Sequence, residues 1–315
     1  MSELTGLATS KSGSLQSQAM SRSDRSFVLT EALPDLAAQP FETPSPIQRV
    51  AYRLLNPFKN WLLPASWLKA FVSSRPSSLI SESFVSPGGW RSMEHVYRKR
   101  SPVSWLDRQA LIDNPISMAA RNRRKIVTER LVQLIRKHPE AAPITFLGIG
   151  SGPGWHIQTA IRQSGIAASR VTAYLIDMAD DSFEYGRQIA SHFGLSDSVH
   201  FLQGDARNIR ETLPGLHVDI AKLIGIVEYL NDDQVLELLN AVSSVMAPGG
   251  HLVINGIVDK YGIAPFLDRV FGLRHFKRDA RHLKDLLENT GFQIAQSEYD
   301  PSGIHPILTA VCVNG

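Results

Sequence analysis

The stretch FLGIGSGPG, residues 146 to 154, decides the fold. The apolar run ITFLGIG leads into it, and HIQTAIRQSG, which has helical spacing, follows it. Gly150, Gly152 and Gly154 permit a tight turn in which the backbone can approach a ligand closely. The helix that follows would direct free N–H groups and the positive end of its dipole at this turn. The segment predicts a ligand-binding turn between a strand and a helix, although a turn that binds nothing has the same pattern.

Apolar strands alternate with amphipathic helices along the rest of the chain. Four further strands are predicted, in the order VTAYLID, VHFLQGD, VDIAKLIGI and HLVINGIV, with helices such as SFEYGRQIASHFG and DDQVLELLNAVSSVM between them. FQIAQSEYD and HPILTAVCV then form a closing antiparallel pair. This alternation predicts an α/β fold, in which a mostly parallel sheet carries helices on both faces.

The residues before this unit divide into two parts. Residues 1–45 are rich in serine and lack a periodic pattern, so we expect a disordered or loosely docked arm. Residues 46–111 have helical spacing that Pro57 and Pro64 interrupt, and we expect a helical cap or lid. Residues 112–315 then make up the α/β domain.

An apolar stripe runs along the helical cap and contains, in order, Trp61, Leu62, Trp67, Leu68 and Phe71. The spacing is typical of a cap packed on the main domain, but a lid over a ligand site or a helix on a membrane surface has the same pattern. Few lysines flank the stripe, so a helix on a membrane surface is the least favoured of these three interpretations. Other aromatic side chains that could close over a site are those of Trp90, Tyr97 and Trp105.

The α/β domain begins with a long helix. Asn114 fits its N-cap position and Pro115 its first helical position. We expect its buried face to consist of Ile126, Leu131, Leu134 and Ile135. The same helix carries three arginines that could face solvent or bind an anion, namely Arg121, Arg123 and Arg124.

Composition excludes several classes of protein. The chain has 315 residues, of which 43% are hydrophobic and 20% charged, and its net charge is +3. This charge is too small to indicate a nucleic-acid partner. Cys312 is the single cysteine, so no disulfide can form within the chain, and a reducing, cytoplasmic location fits best. The N-terminus lacks the apolar core of a signal peptide, and no apolar run is long enough for stable membrane insertion.

Two acidic residues end strands near the glycine-rich turn. Asp177 ends the second strand and could accept hydrogen bonds from both hydroxyls of a ribose, or simply cap the next helix. Asp205 ends the third strand and could accept a hydrogen bond from an adenine amine, with the N–H of Ala206 beside it. Met178 offers an apolar surface to an adenine ring, although core packing would explain it equally well.

The segments GIGSGPG, YLID, QGDA, EYL and MAPGGHLVI resemble, in order and spacing, the class I S-adenosylmethionine (SAM) dependent methyltransferases. The resemblance covers about residues 112 to 313. NPISMAARNRRKIV and GIVEYLNDD are similar to a subgroup whose members are sometimes fused to an α/β-hydrolase, but this chain has no G-x-S-x-G motif. The resemblance implies a Rossmann-like fold with a seven-stranded sheet, and SAM as cofactor.

The resemblance also assigns roles to individual residues. Asp177 would bind the ribose of SAM, and Glu228 and Tyr229 would face the substrate as the catalytic pair, unless they serve only as a helix-start carboxylate and a packed ring. The cofactor-binding set would be Gly148, Gly150, Ser151, Gly152, Gly154, Asp177, Met178, Asp205, Ala206 and Arg121.

Gly148 departs from the family pattern, because the family usually has Asp or Glu there to hold the amino acid end of SAM. We expect one arginine of the long helix, Arg121, Arg123 or Arg124, to bind the SAM carboxylate instead.

The predicted function is methyl transfer from SAM to an unidentified small molecule, without a metal. The departure at Gly148 motivates an alternative, in which the enzyme transfers or cyclises the aminocarboxypropyl group of SAM, forms a product of the azetidine-2-carboxylate type and releases methylthioadenosine. A second alternative is a non-catalytic binding protein, although an intact glycine loop, Asp177 and Asp205 argue against it.

Overall fold

A computed structural model describes residues 39–74, 83, 84, 86–99, 108 and 112–313. Most of the predicted N-terminal arm, residues 1–38, and the predicted lid residue Trp105 lie outside the described residues. The division into arm, cap and α/β domain therefore stays a prediction.

Seven strands form one sheet in the order β3-β2-β1-β4-β5-β7-β6. The strands are β1 Ile144–Ile149, β2 Val171–Asp177, β3 Val199–Gln203, β4 Val218–Leu223, β5 Met246–Asn255, β6 Phe292–Tyr299 and β7 Pro306–Cys312. The first five are parallel, whereas β7 runs antiparallel to both β5 and β6. The predicted Rossmann-like α/β fold, with its closing antiparallel pair, is confirmed.

Helices precede the sheet and connect its strands. They are α1 Pro46–Leu62, α2 Ala65–Ser73, α3 Trp90–Arg98, α4 Pro115–Lys137, α5 Trp155–Ser164, α6 Phe183–Phe193, α7 Ile209–Thr212, α8 Asp232–Ser243, α9 Ala264–Phe271 and α10 Ala280–Glu288. The long helix α4 begins as predicted, with the side chain of Asn114 accepting a hydrogen bond of 3.0 Å from the Ser117 N–H.

Two apolar cores enclose the sheet, one on each face. On one face, α4 and α5 pack on β1 through side chains such as Leu131, Ile157 and Phe146. On the other face, α8 and α10 pack through Leu239 and Leu283. The predicted buried face of α4 is confirmed, since its four apolar residues are all buried: Ile126, Leu131, Leu134 and Ile135.

The N-terminal helices α1 and α2 are oriented against expectation. In α1 the buried side chains are Asn56 and Asn60, whose amides donate to the carbonyls of Tyr261 and Gly262 over 2.6 and 2.7 Å. Leu68 of α2 is buried. The other four residues of the predicted stripe are exposed: Trp61, Leu62, Trp67 and Phe71. The expectation that they pack on the main domain is therefore wrong.

Candidate functional site

A cleft lies at the carboxyl ends of β1, β2 and β4, at the point where the strand order reverses. It encloses about 1170 Å³ of space, part of it open to solvent. Its walls come from the turn after β1, the end of β2, β4 with the turn that follows it, and α3 with the turn before it. Ligands of α/β sheets bind at this place, because the strand-to-helix turns diverge there.

The glycine-rich turn forms the floor of the cleft. Gly150, Gly152 and Gly154 have φ angles of 53°, 51° and 79°, in the region that favours glycine. A side chain at Gly150 would collide with Ile226. At Gly152 the nearest atom to an added Cβ would be the Cβ of Trp90, at 3.4 Å, and no other atom beyond its two chain neighbours would lie within 4 Å. This glycine therefore faces open space in the cleft. The turn therefore exposes bare backbone to the cleft, and binding of a ligand there stays a prediction.

Asp177 joins the end of β2 to this turn. One carboxylate oxygen accepts from the Gly152 N–H over 2.9 Å, and the other accepts from the Ala179 N–H over 3.2 Å. The side chain also lines the cleft. The carboxylate thus caps two turns and not the next helix, whose N-cap residue is Ser182, so the predicted helix cap is wrong. The role of the carboxylate at a ribose stays a prediction.

A buried ion pair also lines the cleft. The Arg123 guanidinium on α4 donates to Glu228 Oε1 over 3.0 Å, and both residues are buried. Among the described residues, neither Glu228 Oε2 nor Arg123 Nε has a hydrogen-bond partner. Buried polar atoms rarely lack partners in native proteins, and both of these residues line the cleft.

Lys222 is a second buried cation in the wall of the cleft. It lies on β4 next to Gly148 of β1, and 2% of its surface is exposed. In the part of the chain that the structure describes, its ammonium has no hydrogen-bond or ion-pair partner. Its pKa is lowered to about 8, chiefly by burial and also by Arg123, with Asp177 and Glu228 acting in the opposite direction. An unpaired cation in this position favours an anionic ligand.

Helix α3 supplies an aromatic wall. Trp90 stacks on Tyr185 with ring centroids 5.4 Å apart. Behind it, Glu94 accepts from the Trp155 indole over 2.7 Å and from the Tyr185 hydroxyl over 2.8 Å. Trp90 and Tyr97 line the cleft, as expected of a segment that closes over a site, whereas Trp61 and Trp67 are not among the lining residues.

Residues 142–302, just over half of the chain, match the model of a family described as a methyltransferase domain. The chain belongs to this methyltransferase family. Membership confirms the predicted class, a SAM-dependent transferase. The features that fit SAM are the bare backbone at Gly152, the carboxylate of Asp177 and the buried cation of Lys222.

Solved structures share the methyltransferase fold at low sequence identity. A possible exported protein from Bordetella parapertussis is 16% identical, with a TM-score of 0.62, over 84% of this chain and 95% of its own. Magnesium protoporphyrin IX methyltransferase from Synechocystis PCC 6803 with bound SAH is 14% identical, with a TM-score of 0.53, over 73% and 96% of the two chains. None of the curated proteins compared with the sequence is significantly similar to it.

The three arginines of α4 have separate surroundings in this methyltransferase. Arg121 binds both oxygens of Glu42 over 2.8 and 2.7 Å and donates to the Ile112 carbonyl, so it does not face the cleft. Arg124 lies over the rings of Tyr97 and Trp155. The prediction that Arg121 binds the cofactor does not fit these contacts, and Arg123 is the arginine that lines the cleft. The open alternative of a solvated basic face is wrong, because all three side chains are buried.

Gly148 has no room for the acidic side chain that the family usually has. An added Cβ would lie 2.7 Å from Leu175 Cδ2 and 2.8 Å from Ile157 Cδ1, and it would also collide with Ser151. Gly148 therefore contributes no side chain to the site. Lys222, on the adjacent strand, was missed in the sequence, although a lysine inside the apolar strand VDIAKL was a signal that could have revealed it.

The residues predicted to bind adenine lie at the ends of β2 and β3. Met178 is 72% exposed, and Ala206 is buried. The Asp205 carboxylate accepts from the side chain and backbone N–H of Arg207, and these hydrogen bonds lower its pKa. Met178, Asp205 and Ala206 are not among the residues that line the cleft. Their roles at the adenine stay predictions.

Two absences apply to the described residues alone. Among them, no cluster of three or more His, Cys, Asp or Glu side chains could hold a metal ion. No helix in the described ranges is long and apolar enough to cross a membrane.

Proposed function

We propose that this methyltransferase transfers the methyl group of SAM to a small molecule bound between Glu228 and the aromatic wall of α3. The observation that carries the proposal is the cleft itself, which brings the glycine turn, Asp177, Lys222 and the Arg123–Glu228 pair around one space. The acceptor is unidentified. The cytoplasmic location predicted from the single cysteine stays a prediction.

Bound SAM supplies an activated methyl carbon, so the protein has mainly to align the acceptor and exclude water. The Arg123 guanidinium fixes one oxygen of Glu228 and leaves Oε2 for the acceptor. Oε2 can accept a hydrogen bond from a hydroxyl or an amine and orient its lone pair. Tyr229 borders the same space, and the centroid of its ring lies 5.3 Å from the centroid of the His275 ring.

Lys222 would bind the carboxylate at the methionine end of SAM. It lies beside the glycine turn and has no anionic partner of its own among the described residues. Arg123 is the other cation that lines the cleft among these residues, but Glu228 already pairs with it. This assignment replaces the arginine that the sequence favoured.

A second candidate reaction is transfer or cyclisation of the aminocarboxypropyl group. Two observations favour this candidate. The crowding at Gly148 excludes an acidic side chain at that position, and Lys222 places a cation next to it. The tail would then have contacts that differ from the family pattern.

Analysis of the nucleoside product separates these functions. The protein is incubated with SAM alone and with SAM plus a metabolite extract, and the products are measured by mass spectrometry. S-adenosylhomocysteine formed only with extract supports methyl transfer, whereas methylthioadenosine supports aminocarboxypropyl chemistry. If calorimetry detects no binding of SAM or S-adenosylhomocysteine, the protein is not an enzyme of either kind.

A further inference from the structure

Helix α1 exposes a continuous apolar stripe to solvent. Its residues recur every three or four positions, which places them on one side of the helix. Each is between 57% and 84% exposed: Ile47, Val50, Leu54, Phe58 and Trp61. Leu55 and Leu62 widen the stripe, and Trp67 and Phe71 continue it onto α2. Contiguous apolar surfaces of this kind mark interaction sites.

Directional polar contacts fix this orientation. The amides of Asn56 and Asn60 donate to the carbonyls of Tyr261 and Gly262 on the opposite side of α1. The Arg269 guanidinium of α9 donates to the carbonyls of Asn60 and Leu63 at the end of the helix. Rotation of α1 to bury its apolar side would break these bonds and leave buried polar groups without partners. The exposed stripe is therefore part of the folded structure.

The charge of this segment favours an anionic partner for the stripe. Residues 46–74 contain four basic residues and no acidic residue. Of these, Arg49, Arg53 and Lys69 are exposed. A second copy of the chain, docked face to face, would bring like charges together, whereas an anionic surface would be attracted. Trp61 and Trp67 have the amphipathic rings that lie at the boundary between lipid and water.

We propose that α1 and α2 dock on the surface of an anionic lipid bilayer, with the apolar stripe at the level of the headgroups. Helices that lie in a membrane interface combine an apolar side of this kind with basic residues. The docking is independent of the proposed methyl transfer, because the stripe does not line the cleft.

The test is flotation of the full chain with vesicles of phosphatidylcholine, alone or mixed with phosphatidylglycerol. We expect binding to the mixed vesicles only. Trp61→Ser with Trp67→Ser should weaken it at least about tenfold, because burial of the two rings is lost. Arg53→Gln with Lys69→Gln should weaken it by about 30-fold, from about 1 kcal/mol for each charge. Tyr299→Ser, at the end of β6, with Val313→Ser, just after β7, removes two exposed side chains far from α1 in the sequence. This variant is the matched control, and its binding should be unchanged.

Circular dichroism and S-adenosylhomocysteine binding of all variants verify that the fold is intact. The proposal is overturned if the wild-type chain does not bind the mixed vesicles. It is also overturned if the variant with Trp61→Ser and Trp67→Ser binds them as strongly as the wild type does. It is equally overturned if ultracentrifugation shows a dimer that this variant dissociates while neither protein binds vesicles. In that case the stripe is an interface between copies of the chain.

Discussion

Replacing Lys222 by methionine tests the assignment of the carboxylate site most directly. The methionine side chain has a similar volume and no charge, so the change removes the cation and little else. A hydrogen bond to a charged group contributes about 1.5–3 kcal/mol, which corresponds to about ten- to hundredfold in affinity. We expect Lys222→Met to weaken binding of S-adenosylhomocysteine by this factor in calorimetry.

Methylthioadenosine is the matched control ligand, because it has the ribose and adenine but no carboxylate. Its affinity should be the same for wild type and Lys222→Met. If the variant keeps the wild-type preference for S-adenosylhomocysteine, Lys222 does not bind the carboxylate, and the proposed function is unaffected. If the wild type binds neither ligand, the proposed function itself fails.

The pH dependence gives a second readout of Lys222. Burial, together with Arg123 on α4, lowers its pKa to about 8, whereas Asp177 on β2 and Glu228 after β4 act in the opposite direction. His156 on α5 also faces this charge. Since a lysine is cationic below its pKa, affinity for S-adenosylhomocysteine should be full below about pH 8 and fall above it. Lys222→Met should lack this part of the decrease.

The same pKa shift predicts how Lys222 affects stability. Above about pH 8 the folded state has lost the proton that the unfolded state retains up to the ordinary lysine pKa of 10.5. The unfolded state therefore binds more protons in this window, so the lysine's contribution to the free energy of unfolding rises with pH. Urea denaturation of the ligand-free protein at pH 7 and 9.5 should show a smaller rise for Lys222→Met than for wild type.

Three further substitutions separate the parts of the site. Gly152→Val should abolish S-adenosylhomocysteine binding while circular dichroism stays normal, because a β-branched residue at φ 51° is strained and its side chain enters the cleft; normal affinity would remove the turn from the site. Asp177→Ala should weaken S-adenosylhomocysteine and methylthioadenosine alike, by about ten- to hundredfold, since both contain the ribose; a loss confined to one ligand in calorimetry would contradict this role. Arg121→Gln should lower the melting temperature by breaking the pair with Glu42, yet leave ligand affinity unchanged; reduced affinity in the folded variant would return Arg121 to the site.

The sheet and its glycine turn were predictable because their signals are local. The apolar strands, the glycines and the cap at Asn114 each determine the geometry of a few neighbouring residues. The cleft depends on contacts between distant residues. Arg121, Arg123 and Arg124 have similar sequence surroundings, and only the segments that cover α4 decide which one reaches the cleft.

The orientation of α1 could not be predicted from the sequence, for a related reason. A helical period shows that one side of a helix is apolar, but it does not show which side meets the rest of the protein. Two asparagine amides and Arg269 decide this through carbonyl groups more than 200 residues away along the chain. Lys222, in contrast, was visible as a charged residue in an apolar strand.

The contacts of Glu94 also indicate where the acceptor specificity of this enzyme could be redesigned. One buried carboxylate joins α3 to α5 through Trp155 and to α6 through Tyr185, so a change there would loosen three elements together. Met93, the neighbouring residue, lines the cleft and has a flexible side chain without directional bonds. A library of variants for new acceptors should therefore vary Met93 and keep Glu94 constant.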